Sequence, residues 1–409
     1  MQILLIHQGF PGQFKHLIPQ LKERGHRLWA ISGWRSKEKM PAGVYCQAYQ
    51  LQRCNTTDIH PLVLETESKV IRGEAVAEQA ALLKQQNFHP DLILGHPGWG
   101  EMLFLADLWP DVPQMHYVEF FHGVPGTDND IQDRYSPPQQ WQDRAKARMK
   151  NVNHLANLNQ MSCGITPTRF QHSLLPDWAQ ARTQIIHDGI DTEWLCPDSK
   201  ACLPLAKGRD LRVGDPVITF VNRTYEPYRG VHIFLEALAK LQEEHPQAQA
   251  LLVGADSPKV SYGANRKDGI GWLTALRQEL GPRLDWSRIH PLGLVSHKTL
   301  KQVFQVSTVH IYLTYPFVLS WSLLEAMSCG ALIIGSATEP VKEVIVDQKT
   351  GLLVPFGDAN SLAKQISKCL QEPDRFIPLR KNARQHIKQK YNLPSCLKEQ
   401  IKLIESFRS

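Results

Sequence analysis

The sequence predicts an α/β fold of two doubly wound domains facing a central cleft, and three observations carry that prediction. Short apolar runs recur along the chain, each ended by a polar or glycine-bearing loop, as buried parallel strands require. These runs alternate with helical patterns in two series, separated by a stretch in which periodicity fades. The length of 409 residues, with 42% hydrophobic and 21% charged, suits two domains with ample cores.

The first series opens with the strand Met1 to His7, whose exit loop runs from Gln8 to Gln13. Phe14, Leu17, Ile18 and Leu21 then fall at helical spacing, with Gly25 as the stop and Pro19 as an awkward interior residue expected to kink the helix. Arg27 to Ser32 reads as a strand and Leu62 to Lys84 as a long helix. Leu92 to Gly95, Gln114 to Phe120 and Gly164 to Thr166 read as further strands. Periodicity fades between Ile186 and Pro216. The second series holds strands Val217 to Val221, Ala250 to Val253, Val309 to Leu313 and Leu332 to Ile334. Its helices are Phe234 to Glu244, a short one near Val341 to Val344 and a long one from about Asn360. Both series have the order of a Rossmann-like unit, which binds ligands beyond the carboxyl ends of its strands.

Composition narrows the class. No basic leader precedes the apolar run Ile3 to Ile6, and no stretch approaches the roughly 20 apolar residues that span a bilayer. A cytoplasmic protein is expected, with peripheral membrane contact as the variant. Eight cysteines without C-x-x-C pairs indicate neither a zinc site nor a disulfide framework. The net charge of +6 comes without any nucleic-acid-binding pattern, so no nucleic-acid partner is expected. It is uneven: nine Lys or Arg face two acids from Arg375 to Ser409. That segment is either a solvated helical face or an attraction for anionic lipid or a phosphorylated ligand.

Three places carry chemistry. Gly9 and Gly12 lie in the loop between the first strand and first helix, where backbone N–H groups either meet a phosphate or form a structural turn. Arg223 and Arg229 follow the first strand of the second series, and guanidinium groups suit a diphosphate because they stay charged and present several donors. Glu325 sits on an otherwise apolar helix before Gly330. A carboxylate there needs partners, either the adjacent hydroxyls of a ribose or a core arginine.

The stretch Leu313 to Gly330, with Ala331 to Ile345 and Gly351 to Val354, resembles the donor-binding region of family 4 glycosyltransferases, which share the GT-B fold. His187 to Asp191 resembles the segment that closes the family's N-terminal domain, and Arg223 with Arg229-Gly230 resembles its phosphate contacts. The resemblance implies a retaining hexosyltransferase that uses a nucleoside-diphosphate sugar, UDP- or GDP-linked, as co-substrate, without a cofactor or metal. It implies that Glu325 binds the ribose as the second glutamate of a Glu-x7-Glu motif. Arg223 and Arg229 then hold the diphosphate with the Gly9 and Gly12 loop, and Val318, Leu319, Ser320 and Trp321 offer the donor-sugar and phosphate loop. Phe317 stands where the first glutamate is usual, in what resembles a bacterial branch, and Arg229 where a lysine is usual.

The implied domains are 1–190 for the acceptor, a linker 191–213, 214–388 for the donor, and a C-terminal helix 389–409 packing back toward the N-terminal domain. The acceptor, a glycan, lipid or small molecule, is expected to meet His96, Glu119 or His122, the last two as the catalytic groups that steady the proton of the attacking hydroxyl. Asp128-Asn129-Asp130 is read as a turn, not a metal site. The competing readings are a sugar-nucleotide epimerase on the same fold and a binding protein that has lost turnover.

Overall fold

The computed structural model describes residues 1–33, 41–130, 133–136, 138–205 and 210–408. Part of the expected linker, 206–209, lies outside the described residues. The chain divides into two compact units. The first comprises Met1–Asp130, Pro138–Gly189 and Pro394–Ser409, and the second Ile131–Pro137 and Ile190–Leu393.

The first unit holds a seven-stranded parallel sheet: β1 (Gln2–His7), β2 (Arg27–Gly33), β3 (Val44–Tyr49), β4 (Leu92–Gly95), β5 (Gln114–Tyr117), β6 (Cys163–Thr166) and β7 (Thr183–Ile185). Their order is β3-β2-β1-β4-β5-β6-β7, so the winding reverses between β1 and β4. Leu4, Ile6, Ile31 and Ile93 pack on one face against the helix Leu64–Gln85 through Ala75, Val76, Ala80 and Leu83. The end of the chain belongs to this unit, where Gln400 donates to the carbonyl of His187 at 3.1 Å and Glu405 faces His26 at 3.5 Å.

Two readings are corrected here. Pro19 is the third residue of the helix Leu17–Glu23, where its missing N–H has no intrahelical partner to lose, so it does not occupy an interior position. The strand expected from Gln114 to Phe120 ends at Tyr117, and Val118 to Phe120 form the loop after it.

In the second unit a short antiparallel pair, β8 (Cys202–Pro204) with β9 (Asp210–Arg212), precedes a six-stranded parallel sheet. Its strands are β10 (Val217–Thr224), β11 (Gln249–Ala255), β12 (Ile289–Gly293), β13 (Val309–Tyr312), β14 (Leu332–Ser336) and β15 (Leu352–Val354), ordered β12-β11-β10-β13-β14-β15. The reversal falls between β10 and β13. Alternation along β10 sends Ile218 and Phe220 to a core with the helices Val231–Leu241, Trp272–Leu280 and Ala359–Gln371. Val217 and Val221 go to the opposite core, with Leu323, Met327 and Ile387. Leu195, Leu203 and Leu211, from the segment between the two periodic series, are buried in that second core.

Each sheet buries a histidine completely: His116 on β5 and His310 on β13. Burial pushes both rings down to about 3, with the positive Arg182 adding to the effect at His116. Each is therefore neutral in the folded chain and takes up a proton on unfolding below the ordinary value of 6.5. Their contribution to stability is complete above pH 6.5 and declines as the pH falls toward about 3. Urea unfolding should lose about 1.4 kcal/mol per pH unit for each ring well below its unfolded value. A midpoint unchanged between pH 7 and pH 5 would contradict this assignment.

Candidate functional site

Both sheets reverse direction at their centre, so the loops leaving β1 and β4, and those leaving β10 and β13, are where a doubly wound unit opens to a ligand. In the second unit β10 ends in Arg223 and Thr224, and the chain turns through Pro227–Arg229 into the helix Val231–Leu241. Gly230 makes that turn at φ +70°, and a Cβ there would stand 2.7 Å from the Leu313 side chain.

The two arginines have different surroundings. Arg229 is only 4% exposed and its guanidinium is enclosed by the loop that leaves β13. Nη1 donates to Thr314 Oγ1 at 2.7 Å and Tyr312 Oη at 3.3 Å, Nη2 donates to the Val318 carbonyl at 3.0 Å, and the group lies over the Tyr262 ring at 5.1 Å. The Arg223 side chain is exposed, with no side-chain hydrogen bond or ion pair among the described residues. Arg229 thus shapes the loop from beneath while Arg223 offers its donors to solvent.

The loop held by Arg229 leads into the helix Trp321–Ser328. Val318 and Ser320 are half-buried, Leu319 is buried and Trp321 is exposed. The Ser320 N–H donates to Tyr312 Oη at 2.8 Å, and Ser320 Oγ accepts from the Ser322 N–H at 3.3 Å as the N-cap. At the other end Arg380 Nε donates to the Gly330 carbonyl at 2.6 Å, and Arg384 donates to the Ser328 carbonyl at 2.5 Å. Cationic donors on the carbonyl end complement the helix dipole and leave its positive end for an anion.

Phe317 closes an aromatic cluster, with ring centroids 5.3 Å from Tyr228 and 4.9 Å from Tyr262; Tyr228 in turn meets Tyr315 at 4.6 Å. Glu226 lies buried beside this cluster, bonded by the Thr224 hydroxyl and by the Ser261 N–H at 3.2 Å, and burial pushes its carboxyl upward. It fixes the segment that presents Tyr262.

Glu325, on the second turn of the helix, is 7% exposed, and its Oε1 accepts from His297 Nε2 at 2.9 Å. Its protein partner is thus a histidine, not the core arginine that sequence allowed. His297 opens the helix His297–Val306, capped by Ser296, and was missed because nothing local links it to a residue 28 positions away. The Ser296 cap ahead of an amphipathic run was its only sequence signal.

In the first unit the loop after β1 is built around His7. Its Nδ1 accepts the Gly9 N–H at 3.1 Å, and its Nε2 meets Gln13 Oε1 at 2.5 Å, which assigns the proton to Nε2. Gly12, at φ +48°, has room for no Cβ, which would fall 2.2 Å from the His7 ring. Gly9 and Gly12 are thus spaced by a histidine that the sequence reading did not single out. His7 packs edge-on to Trp99 at 5.0 Å, and Trp99 stacks on His96 at 3.8 Å. His96 Nδ1 accepts the Gly98 N–H, while Nε2 faces Glu119 Oε2 at 3.5 Å. Burial, with the His96 ring beside it, lowers His7 to about 4.

His7, His96, Trp99 and Glu119 therefore form one cluster, with Glu119 partly open to solvent. His122 is anchored through its backbone to Asn151, by bonds of 2.9 and 2.7 Å, and its ring lies near Phe120 and His154. Burial, with Lys150 and Lys69 nearby, drives its pKa to about 3, so it holds a proton poorly at neutral pH. Asp128–Asp130 form a 3-10 turn, and no metal-binding group of three or more side chains exists among the described residues.

Two parallel, doubly wound sheets in series define the GT-B class. Sucrose-phosphate synthase from Thermosynechococcus elongatus has this fold, with a TM-score of 0.73 over 99% of both chains at 21% identity. Anabaena HepE, in complex with UDP-glucose, matches at 0.68 over 99% of this chain and 100% of that one, at 18% identity. Residues 24–195 match the family model described as Glycosyl transferase family 4 group, and residues 206–390 match Glycosyl transferases group 1. The chain belongs to these GT-B glycosyltransferases, a family of enzymes. Trehalose synthase from Thermococcus litoralis is 27% identical over 194 residues, 47% of this chain and 44% of that one. D-inositol 3-phosphate glycosyltransferase from Mycobacteroides abscessus is 28% identical over 191 residues, 46% and 39% respectively. The chain thus spans less than half the length of these relatives.

Gly230 tests the packing of the loop. Gly230→Ala should cost about 1–3 kcal/mol, from a strained positive φ and the overlap with Leu313. Thermal unfolding of the variant at the wild-type midpoint would show that the turn has slack.

Proposed function

We propose that this chain transfers a sugar from a nucleoside-diphosphate sugar to an acceptor hydroxyl with retention of anomeric configuration. The observation that carries the reading is the adjacency of β10 and β13 at the reversal of the second sheet, with Arg223 at the end of β10 and the loop from β13 opening the helix Trp321–Ser328 that carries Glu325. The glycosidic bond to the diphosphate breaks, and the leaving oxygen's charge is met by Arg223 and the helix N-terminus, with Arg229 holding the loop. Val318 to Trp321 supply the donor-sugar and phosphate loop, and Glu325 takes the ribose hydroxyls. Phe317 replaces the family's first glutamate, so an aromatic cluster lies where a carboxylate would place the donor sugar. HepE's UDP-glucose complex supports a UDP-sugar as donor.

Residues 1–190 take the acceptor and 214–388 the donor in this reading, with 389–409 a terminal helix. Among the acceptor-side candidates, Glu119 paired to His96 is the group that receives the hydroxyl proton, because His122 is held too far below neutrality. Gly9 and Gly12 shape the loop on that side. No helix among the described residues is long and apolar enough to cross a membrane. The exposed Lys381, Lys388, Lys390, Lys398 and Lys402 support peripheral contact with an anionic surface.

Calorimetry with UDP, GDP and ADP should find one that binds, and Arg223→Ala should weaken it about tenfold, the loss of one charged hydrogen-bonding group. If none binds, the donor site and the transferase reading both fail. Transfer should follow with acceptor present. Isomerised donor without acceptor would identify an epimerase, and binding without transfer over a broad acceptor panel a binding protein. Glu119→Gln should lower kcat about 100-fold, whereas His122→Gln should change it only about threefold, since proton transfer by a positioned base is worth that much. The reverse ranking would assign the proton to His122.

A further inference from the structure

We infer that His297 is a positioning residue for nucleotide recognition: it orients Glu325 so that one carboxylate oxygen is left for a ribose hydroxyl. The inference rests on the donor-site reading above. Glu325's side chain is 9% exposed, and a carboxylate in such a place requires donors. Among the described residues its one side-chain hydrogen-bond partner is His297 Nε2, on Oε1 at 2.9 Å; Oε2 has none. The neighbouring Cys329 thiol is pushed up to about 12 by burial and by the Glu325 charge, so it stays protonated and adds no second negative charge beside the carboxylate.

His297 is itself held. Half of its side chain is exposed, and a ring so placed would sample several rotamers. Instead the ring lies tilted against Trp194, at 4.7 Å between centroids, and Lys301 Nζ stands 5.3 Å from the Trp194 ring centroid. Its backbone is set by the Ser296 cap, whose Oγ accepts the Thr299 N–H at 3.1 Å. The imidazole therefore reaches Glu325 from a fixed base. A carboxylate with one oxygen engaged and the other open is selective for a hydroxyl donor, and all ribonucleotides present one whatever their base.

The test compares the nucleoside diphosphate that binds, UDP or GDP, with its 2′,3′-dideoxy form by calorimetry. Unaltered protein should prefer the ribose form about tenfold, because the dideoxy form leaves a buried acceptor unpaired. His297→Ala should weaken the ribose form and leave the dideoxy form nearly unchanged, reducing the preference to about twofold, as a coupling between residue and hydroxyl requires. His297→Gln, which keeps an N–H donor, should restore most of the preference. An unchanged preference in His297→Ala, or equal weakening of both forms, would overturn the positioning role while leaving the donor site standing. Failure of the unaltered protein to bind either form would remove the donor-site reading and this inference together.

Discussion

The buried guanidinium of Arg229 is the constraint on which the second unit's site depends. A permanently charged group enclosed by protein must have its donors satisfied, and here Thr314, Tyr312 and the Val318 carbonyl satisfy them. Those partners span the loop between β13 and the following helix. The same Tyr312 hydroxyl then accepts the Ser320 N–H, which sets the N-cap and hence the start of the helix. The phase of that helix places Glu325 on the side of His297. One cation thus fixes a loop, a cap and a carboxylate in succession, and the cost of unpairing it keeps the loop in one conformation without any ligand.

The first unit solves the same problem with a neutral ring. His7 stands at the end of β1 where Arg223 and its turn stand at the end of β10, and it organises the loop after it through the Gly9 amide and Gln13. Burial keeps His7 unprotonated, so the loop is held by a directional acceptor and not by charge. The consequence is a cluster in which Glu119 is the one carboxylate, in contrast to the exposed guanidinium of Arg223.

How far the fold was legible follows from the position of each strand. The interior strands β1, β2, β4, β5, β6, β10, β11, β13 and β14 were all expected, because strands buried on both faces read as apolar runs. The edge strands β3, β7, β12 and β15 were not recognised as strands. The apolar runs of β3 and β7 are broken by Gln47 and Gln184, with Tyr45 and Ile185 exposed, and β12 is broken by His290 and Pro291, whereas Leu352–Val354 of β15 is apolar but only three residues long. The candidate site was legible as residue types where chemistry is local, as at Arg223 and Glu325, whereas the enclosure of Arg229 by Thr314, Tyr312 and the Val318 carbonyl, some 85 residues on, was not. His7 and His297 escaped because each acts through a partner that only the folded chain brings near. His122 was singled out on residue type, and burial, which sequence position does not show, is what disfavours it.

The basic C-terminal segment shows how composition can mislead about where charge acts. Arg380 and Arg384 belong to the cluster of positive residues that a reading of the sequence assigns to a solvated face or an anionic partner. In the fold they turn inward to the Gly330 and Ser328 carbonyls, and Arg384 also reaches the Leu195 and Thr192 carbonyls at 3.1 Å. They neutralise the negative end of the helix whose positive end lies at Ser320. A helix of eight residues has its two ends close together, so compensation at one end sharpens the field at the other. The field at the Ser320 end of the helix is therefore set partly from its far end, by side chains more than fifty residues away in sequence from Ser320.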